Sequence, residues 1–354
     1  MGESMNTDLP VTKRLNVTHD IKRDIAEIGQ TDPELSKILQ SFGEKIAARV
    51  EDQLPEPNQP TKIIQLPFWS DAVRGGPNPI LRSALFAAIH SKKRQRLGTQ
   101  TSPDKEPKGI TIAAQDGIII KYAGTQLNQY DADVFFEALH RARLHPLETE
   151  CLFTGYNFLK AIGRTPNNLN YEDLDNSLTR LRDGRVEIHY KMNGSSHKFV
   201  GGLISFYERE DSTKLYKVSF ARRIRELFAP ACWTQLEWEE RMTLKGHPIA
   251  QWLHSFYSSH VPKPFPLSTA YLHPKTGSAR PLLKHFKQDL KKALETLEKE
   301  LGWKSTWKGD LLSLSRPPSP SQARHLRFAK SITRKAKLKR TRPISPNDLF
   351  SGST

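Results

Sequence analysis

The sequence feature that most restricts the fold is an order of helix and strand patterns that occurs twice along the chain. The first copy contains a short helix ("YNFLKAIG"), a turn ("RTPNN") and a longer helix ("NYEDLDNSLTRLRDG"), followed by the strand-like runs "RVEIHY", "FVGGLISFYE" and "KLYKVSF". The second copy contains a short helix ("LSTAYLHPKTG"), a long helix ("SARPLLKHFKQDLKKALETLEKELG") and a hairpin ("WKSTWKGDLLSLS"). This is the order of a winged helix-turn-helix. The sequence therefore predicts an α+β fold with two tandem winged helix-turn-helix domains.

Hydrophobic spacing supports the two long helices, because their apolar residues recur every three or four positions and so share one face. The residues predicted to point inward are Tyr171, Leu174, Leu178 and Leu181 in the first, and Leu283, Phe286, Leu290, Leu294 and Leu297 in the second. Each copy also follows another helix: "DADVFFEALHRARL", with Asp131 as its N-cap, and "HPIAQWLHSFYSSH", with Pro248 in its first turn. The run "ITIAAQDGIIIKY" predicts a β-hairpin, since β-branched residues flank Gln-Asp-Gly.

The predicted organisation divides the chain into four parts. These are an N-terminal helical and linker extension (1–75), a first winged-helix domain (76–230, with its core from about residue 105), a second winged-helix domain (231–315) and a C-terminal tail (316–354). Within the extension, residues 32–50 carry an apolar helical face and residues 54–60 form a linker. Either the protein's own core or a partner protein would cover that apolar face.

Charge indicates the kind of partner. The 54 Lys and Arg residues exceed the 38 Asp and Glu residues, which gives a formal net charge of +16. An excess of this size attracts polyanions, and we expect nucleic acid; a basic enzyme is the alternative. The tail at 316–354 holds ten Lys or Arg residues and a single acidic residue. We expect it to be disordered and to contact DNA phosphates, the alternative being an arm that stays in solvent.

Four segments resemble one protein family. The run "PFWSDAVRGGPNPILRSALF" at 67–86 is similar to the W-x-D-x-x-R-x-x-P-N-x-x-x-R-S-A-L-F motif of the TrfA-type plasmid replication initiators. The runs "DADVFFEALHRAR", "FTGYNFLKAIG" and "LTRLRDGRVEI" are similar to the following blocks of that family. The resemblance covers roughly residues 65–310, so the C-terminal tail lies beyond it.

The resemblance implies a bacterial, cytoplasmic initiator that binds repeated origin sequences (iterons) in duplex DNA. It also implies opening of an AT-rich origin segment, recruitment of the host replicative helicase and host initiator, and a role in plasmid copy control. We expect a monomer–dimer equilibrium. Two alternatives remain: a scaffold that gathers replication proteins through the N-terminal helix and "QLPFW", and a winged-helix transcriptional repressor.

The predicted DNA-binding residues lie on the two long helices. In the second helix, four basic residues at helical spacing form a cationic stripe, with hydrogen-bonding side chains beside them. These residues are Arg280, Lys284, Lys287 and Lys291, together with His285 and Gln288. Arg280 and Lys284 are expected to reach base edges near the helix start. The alternative is a lysine-rich face in solvent.

The first long helix offers neutral and later basic contacts, namely Asn167, Asn168, Asn176, Arg180, Arg182 and Arg185. Its start is acidic, because Glu172, Asp173 and Asp175 lie within four positions. Carboxylates near a helix N-terminus are stabilised by the exposed N–H groups and the helix dipole. Catalysis would need a metal shell or a nucleophile, and none lies nearby in sequence. We therefore interpret the acidic trio as structural.

The run "QLPFW" has two interpretations. Gln65, Leu66, Phe68 and Trp69 loosely resemble the peptide with which bacterial proteins bind the sliding clamp, although Pro67 and Trp69 depart from it. The other interpretation is that Phe68 and Trp69 anchor the preceding linker onto the first domain.

Enzymatic activity is not expected. The sequence lacks a GxxxxGK[ST] loop, and its twelve His residues include no His-x-His pair of the kind a nicking relaxase uses. No catalytic residue, metal or cofactor is predicted. Cys151 and Cys232 are far apart and are expected to be reduced, and no apolar run approaches the length of a membrane span.

Overall fold

The computed structural model describes residues 65–98, 108–115, 117–192, 195–229, 232–318 and 323. The helix predicted at 32–50, the linker at 54–60 and almost all of the predicted tail lie outside the described residues. Within these ranges, no helix combines the length and apolar character needed to cross a bilayer.

The helices in the described part of the chain are α1 (Asn78–Leu81), α2 (Gln129–Ala142), α3 (Gly155–Ala161), α4 (Asn168–Asp183), α5 (Trp238–Thr243), α6 (Pro248–Ser258), α7 (Thr269–Thr276) and α8 (Leu283–Leu301). Two 3₁₀ helices cover Ser91–Lys93 and Arg222–Phe228. The strands are β1 (Val73–Pro77), β2 (Phe86–Ala87), β3 (Arg96–Leu97), β4 (Ile110–Ile112), β5 (Ile119–Thr125), β6 (Leu127–Asn128), β7 (Cys151–Thr154), β8 (Arg185–Met192), β9 (Ser195–Gly201), β10 (Phe206–Glu210), β11 (Leu215–Ser219), β12 (Trp233–Glu237), β13 (Leu267–Ser268), β14 (Lys304–Lys308) and β15 (Leu311–Ser315).

The chain forms two compact units that interleave along the sequence. The first unit contains Val134–Arg185 and Gly201–Pro230, together with the segment up to Phe68. The second unit contains Trp69–Asp133, Val186–Val200 and the described residues from 232 onward. Neither unit is therefore one continuous stretch. The division into consecutive domains at 76–230 and 231–315 stays a prediction about which segments fold independently.

The first unit packs α3 and α4 against a three-stranded antiparallel sheet in the order β10-β11-β7. Asn167 caps α4, since its side chain accepts a hydrogen bond from the Asn170 amide at 2.9 Å. In α4 the spacing of three and four residues buries Leu174, Leu178 and Leu181, as predicted.

A short strand leads directly into α3 in the first unit. Gly155, the first residue of α3, has no room for a Cβ, which would lie 2.8 Å from the rings of Tyr171 and Tyr216. Phe153 stacks on Phe158 with ring centres 4.6 Å apart, which fixes the strand against the helix.

The second unit packs α6, α7 and α8 against a sheet in the order β13-β15-β14. Pro248 occupies the first turn of α6, where its missing N–H costs nothing. Gly277 ends α7 and Gly302 ends α8 with positive φ angles of 61° and 67°, which glycine adopts without strain. The core contains Trp252 and Trp303.

The second unit also contains two earlier segments of the chain, Trp69–Asp133 and Val186–Val200. Here β1 pairs antiparallel with β12 and β2 pairs parallel with β6. A five-stranded sheet follows the order β3-β5-β8-β9, with β4 also paired to β5. The predicted hairpin is confirmed, because Ile110 of β4 lies opposite Tyr122 of β5.

Both units follow one order of elements: helix, short strand, short helix, long helix and a two-stranded hairpin. The first copy is α2, β7, α3, α4, β10 and β11, and the second is α6, β13, α7, α8, β14 and β15. The sheet orders β10-β11-β7 and β14-β15-β13 correspond position by position, with the last hairpin strand in the centre. The mixed α+β fold is confirmed and the described elements repeat one order, whereas the assignment of either copy as a winged helix-turn-helix stays a prediction.

Three sequence predictions need correction. The run "FVGGLISFYE" is two strands, because β9 ends at Gly201 and β10 begins at Phe206. Along the sequence, the β8–β9 pair therefore separates α4 from the β10–β11 hairpin. Asp131 is not the cap of α2: the Asn128 side chain accepts from the Asp131 amide at 3.3 Å, and the Asp131 carboxylate accepts from the Asn128 amide at 2.9 Å. This reciprocal pair is a capping box. The third correction concerns Leu283, which is 38% exposed rather than inward.

A buried arginine organises part of the second unit. Arg241 of α5 is fully buried, and its Nε donates to the Asp133 carboxylate at 2.6 Å. Its other nitrogens donate to the Ser255 hydroxyl at 2.7 Å, the Gln251 carbonyl at 3.2 Å and the Gln129 side-chain oxygen at 3.1 Å. One guanidinium thus connects α5, α6 and the start of α2.

Arg316 belongs to the second unit and not to a disordered tail, which corrects the predicted boundary. It is 7% exposed, and its guanidinium donates to the carbonyls of Tyr257 at 3.0 Å, Ser258 at 3.2 Å and His260 at 2.7 Å. These carbonyls lie at the C-terminal end of α6, where a cation is stabilising. The structured part of the chain therefore extends past the predicted end at Ser315.

Candidate nucleic-acid interface

The first half of α8 exposes polar side chains opposite its buried face. Phe286, Leu290 and Leu294 are buried in the core of the second unit. The exposed polar side chains of this half are Lys284, His285, Gln288, Lys291 and Lys292. The predicted hydrogen-bonding residues His285 and Gln288 thus lie on a solvent-facing surface beside Lys284 and Lys291.

The prediction that Arg280 starts the α8 stripe is wrong. Leu282 has an extended backbone with φ −95° and ψ 125°, so the helix begins only at Leu283. Arg280 lies in the preceding turn, where its Nε donates to the Asp289 carboxylate at 2.7 Å. An arginine in this ion pair would have to exchange Asp289 for a base or phosphate in order to contact DNA.

The remaining members of the stripe differ in their surroundings. Lys287 is half-buried, with its Nζ 2.9 Å from the Asp310 carboxylate and 5.4 Å from the ring centre of Trp307. The hydrogen bond from Lys287 lowers the pKa of Asp310 below its ordinary value. Lys284 and Lys291 are exposed and have no ion pair among the described residues. These two lysines are the stripe cations best placed for an external phosphate.

The exposed surface of α4 is polar but not cationic at its start. Asn168 and Asn176 are exposed, whereas the side chain of Asn167 is occupied as the helix cap. Leu169 lies among them with 75% of its surface exposed. Sequence reasoning missed Leu169, although it stands outside the spacing of the buried leucines.

The three predicted arginines of this region are engaged or partly covered. Arg182 pairs with Asp183 at 2.6 Å and stands 5.1 Å from the ring of Tyr207. Arg180 in the last turn of α4 and Arg185, the first residue of β8, are half-buried. The structure therefore does not place these three side chains together on one free surface.

The acidic trio is divided by the structure. Glu172 and Asp173 are exposed, and they lie in the second turn of α4 rather than in the first, because the helix begins at Asn168. The predicted stabilisation of these two carboxylates by the helix dipole is therefore small, because that effect falls off within the first turn. Asp175 is half-buried and pairs with Arg209, and it accepts a hydrogen bond from the Tyr216 hydroxyl at 2.8 Å.

Asp175 acts as a connection between α4 and its hairpin. Burial raises the pKa of its carboxyl, while the bonds from Tyr216 and Arg209 oppose this shift. Among the described residues, no group of three or more His, Cys, Asp or Glu side chains is placed to hold a metal ion.

The two hairpins that follow the long helices differ in charge. The β10–β11 hairpin of the first unit exposes Glu208, Glu210 and Asp211. The β14–β15 hairpin of the second unit exposes Lys304 and Lys308 and one acid, Asp310. Of these two lysines, Lys304 pairs with Glu298 at 2.8 Å. The electrostatic attraction for phosphate is therefore concentrated in the second unit.

A further group of basic side chains contacts the Glu187 carboxylate within the protein. On the five-stranded sheet, the side chains of Lys121, His189 and Lys198 lie 3.3, 2.5 and 3.3 Å from the Glu187 carboxylate. The hydrogen bond from His189, followed by those from the lysines, lowers the pKa of Glu187 to about 2. Because these three side chains already contact a carboxylate, the cluster is a poorer candidate for DNA contact than Lys284 or Lys291.

The "QLPFW" segment is packed into the fold. Leu66 and Trp69 are 5% and 1% exposed, and the ring of Trp69 lies 5.5 Å from that of Trp233. The Gln65 amide donates to the Arg143 carbonyl at 3.1 Å, and only Phe68 is largely exposed. Sliding-clamp binding stays a prediction, and it would require this segment to leave its packed position.

The fold and these surfaces define a mixed α+β protein with a duplicated helix-and-hairpin unit. Residues 50–316 match the family model described as "TrfA protein". Because this match covers well over half of the sequence, the chain belongs to the TrfA family.

One known protein similar to this chain is a replication initiator by name. The chain is 25% identical over 279 residues to "Plasmid replication initiator protein TrfA" of Escherichia coli, covering 74% of this chain and 69% of that protein. Two crystal structures of domains 2 and 3 of RctB are also similar. The first has a TM-score of 0.45 and 12% identity, covering 68% of this chain and 98% of that one. The second has a TM-score of 0.39 and 14% identity, covering 62% and 93%.

Proposed function

We propose that this chain is a plasmid replication initiator that binds duplex origin DNA through two winged helix-turn-helix domains. The observation that carries the proposal is the duplicated topology, in which each unit exposes the start of its long helix. In helix-turn-helix proteins the N-terminal residues of this helix contact base edges in the major groove. Membership of the TrfA family and the name of the Escherichia coli relative support initiation as the biological role.

The two units contribute differently to this proposed binding. Lys284, Lys291 and Lys308 of the second unit provide exposed positive charge for phosphates, which supplies sequence-independent affinity. Asn168 and Asn176 of the first unit provide amides that can pair with adenine in the major groove. Two units that each read one segment of the groove suit an origin built from repeated sequences.

The proposal includes a non-enzymatic, cytoplasmic protein without cofactor that recruits the host helicase and host initiator and exists as monomer and dimer. These parts are supported by the family relationship, whereas DNA contact is supported by the exposed helices as well.

A footprint tests the DNA-binding part. The full chain is incubated with an origin fragment from the plasmid that carries its gene, and protection from nuclease is mapped at base resolution. We expect several protected segments of equal length at one regular spacing. A single protected site within the promoter, with no effect of the protein on plasmid maintenance, would instead identify a repressor.

Paired lysine variants test the assignment of the surface. Lys284→Ala and Lys291→Ala should each weaken binding to origin and random duplexes, and each should reduce the slope of log K against log salt by about 0.9 for every phosphate that the variant no longer neutralises. Lys299→Ala is the matched control, because Lys299 is 82% exposed at the other end of the same helix. Equal effects of all three variants would contradict the assignment of the α8 start as the DNA contact.

A further inference from the structure

Each unit exposes leucine at the beginning of its long helix. Leu169 is the second residue of α4 and is 75% exposed. Leu282 and Leu283 stand at the N-cap and first position of α8, and they are 58% and 38% exposed. The same residue type thus recurs within one turn of the same point in the repeated order of elements.

These leucines do not belong to the cores. An α-helix turns about 100° per residue, so Leu169 lies about 140° around the α4 axis from the buried Leu174. In α8 the buried face begins with Phe286, and the chain before it extends beyond the core. Leu169 and Leu282 leave more than half of their surface in solvent, and Leu282 occupies an N-cap position where asparagine or serine is the ordinary choice.

The neighbouring side chains indicate the chemistry of the surface. Leu169 is flanked by the exposed Asn168, and Leu283 by the exposed cation Lys284. Amide and ammonium groups suit base edges and phosphates, which is complementary to duplex DNA rather than to an apolar protein partner. A leucine side chain can donate or accept no hydrogen bond. The apolar group that a major groove offers is the C5-methyl of thymine.

We propose that Leu169 and Leu282 determine specificity by packing on thymine C5-methyl groups at the start of each long helix. The inference rests on the proposed function and adds to it the bases that are read. It predicts a thymine at a fixed position in each half of the repeated site. Leu283, next to Leu282, would contact the same methyl group.

Deoxyuridine tests this contact, because it pairs like thymine but lacks the methyl group. Each thymine of one footprinted repeat is replaced in turn, and the Kd is measured for the wild-type chain and for Leu169→Ala. At one position we expect the wild-type chain to bind about four-fold more weakly, the factor that corresponds to burial of one methylene-sized group. Leu169→Ala should bind the normal repeat more weakly and should not distinguish thymine from deoxyuridine there.

Leu144→Ala is the matched control, since Leu144 is 54% exposed in the same unit but lies outside α4. It should retain the full wild-type preference for thymine. Leu169→Asn, which keeps the branched shape of the side chain but replaces both methyl groups with polar ones, should behave like Leu169→Ala. The same series with Leu282→Ala should identify a second thymine.

The outcomes separate this inference from the proposed function. If the wild-type chain protects the repeats but tolerates deoxyuridine at every position, methyl recognition is refuted while initiation stands. If Leu169→Ala shifts the monomer–dimer balance and leaves DNA affinity unchanged, the leucine is a protein contact and the inference is refuted. If no origin fragment is protected, both proposals fail.

Discussion

Replacing Arg241 with methionine removes a charge that the second unit has enclosed completely. The guanidinium pairs with Asp133 and also donates to Gln251, Ser255 and Gln129. Methionine fills much of the volume but leaves the Asp133 carboxylate buried without its cation. Breaking a buried pair on one side costs about 3–5 kcal/mol, which is a large part of the stability of a typical domain.

The second substitution separates the cost of an orphaned charge from the value of the pair. Exchanging both partners of a buried pair for apolar residues is often close to neutral. We therefore expect Arg241→Met with Asp133→Leu to recover more than half of the free energy that Arg241→Met loses. Arg96→Met is the control, because Arg96 is exposed in the same unit and its loss should change stability by less than about 0.5 kcal/mol.

Tryptophan fluorescence during urea unfolding measures this effect selectively. All 6 tryptophans of the chain lie in the second unit, among them Trp252 and Trp303 of its core. The midpoint and slope then give the free energy of unfolding for that unit. A loss below about 1 kcal/mol for Arg241→Met, or a double variant that loses the sum of the two single losses, would refute the reasoning.

Three other predictions follow from single contacts. Arg316→Ala should destabilise the second unit by about 2 kcal/mol, seen as a lower fluorescence midpoint, whereas a chain cut after residue 318 should keep that midpoint and lose only salt-dependent DNA affinity. Burial lowers the pKa of His254 in the folded chain. Below about pH 6.5, this histidine is therefore protonated in the unfolded chain but stays neutral in the folded chain. Stability should therefore fall as the pH drops from 7 toward 5, and His254→Phe should flatten the dependence measured by urea titration at each pH. Asp175→Asn should lower the thermal stability of the first unit by about 1–2 kcal/mol, measured by far-UV circular dichroism, while Glu172→Gln should leave it unchanged.

The sequence predicted helix ends correctly where a single proline or glycine determines them. Pro248 starts α6, and Gly277 and Gly302 end α7 and α8, because φ preferences act on one residue at a time. The start of α8 was placed too early, since the pattern alone does not show that Leu282 is extended.

Contacts between distant segments could not be predicted in this way. Arg316 looked like the first residue of a basic tail, but its partners are carbonyls 56 to 59 positions earlier in the chain. For the same reason, the spacing of basic residues predicted a cationic stripe on α8 but could not show that Arg280 pairs with Asp289 and Lys287 with Asp310. The exposed positions of Lys284 and Lys291 follow from helical periodicity and were predicted.

The interleaving of the two units has a consequence for biosynthesis. A ribosome completes the last segment of the first unit at residue 230, when the second unit still lacks α5 to α8 and the β13–β15 sheet. The earlier strands of the second unit, from Trp69 onward, have by then been synthesised and wait for partners such as β12. The second unit, which begins before most of the first unit, is therefore completed last. A nascent chain halted near residue 230 would expose β1 without its partner strand to chaperones and proteases.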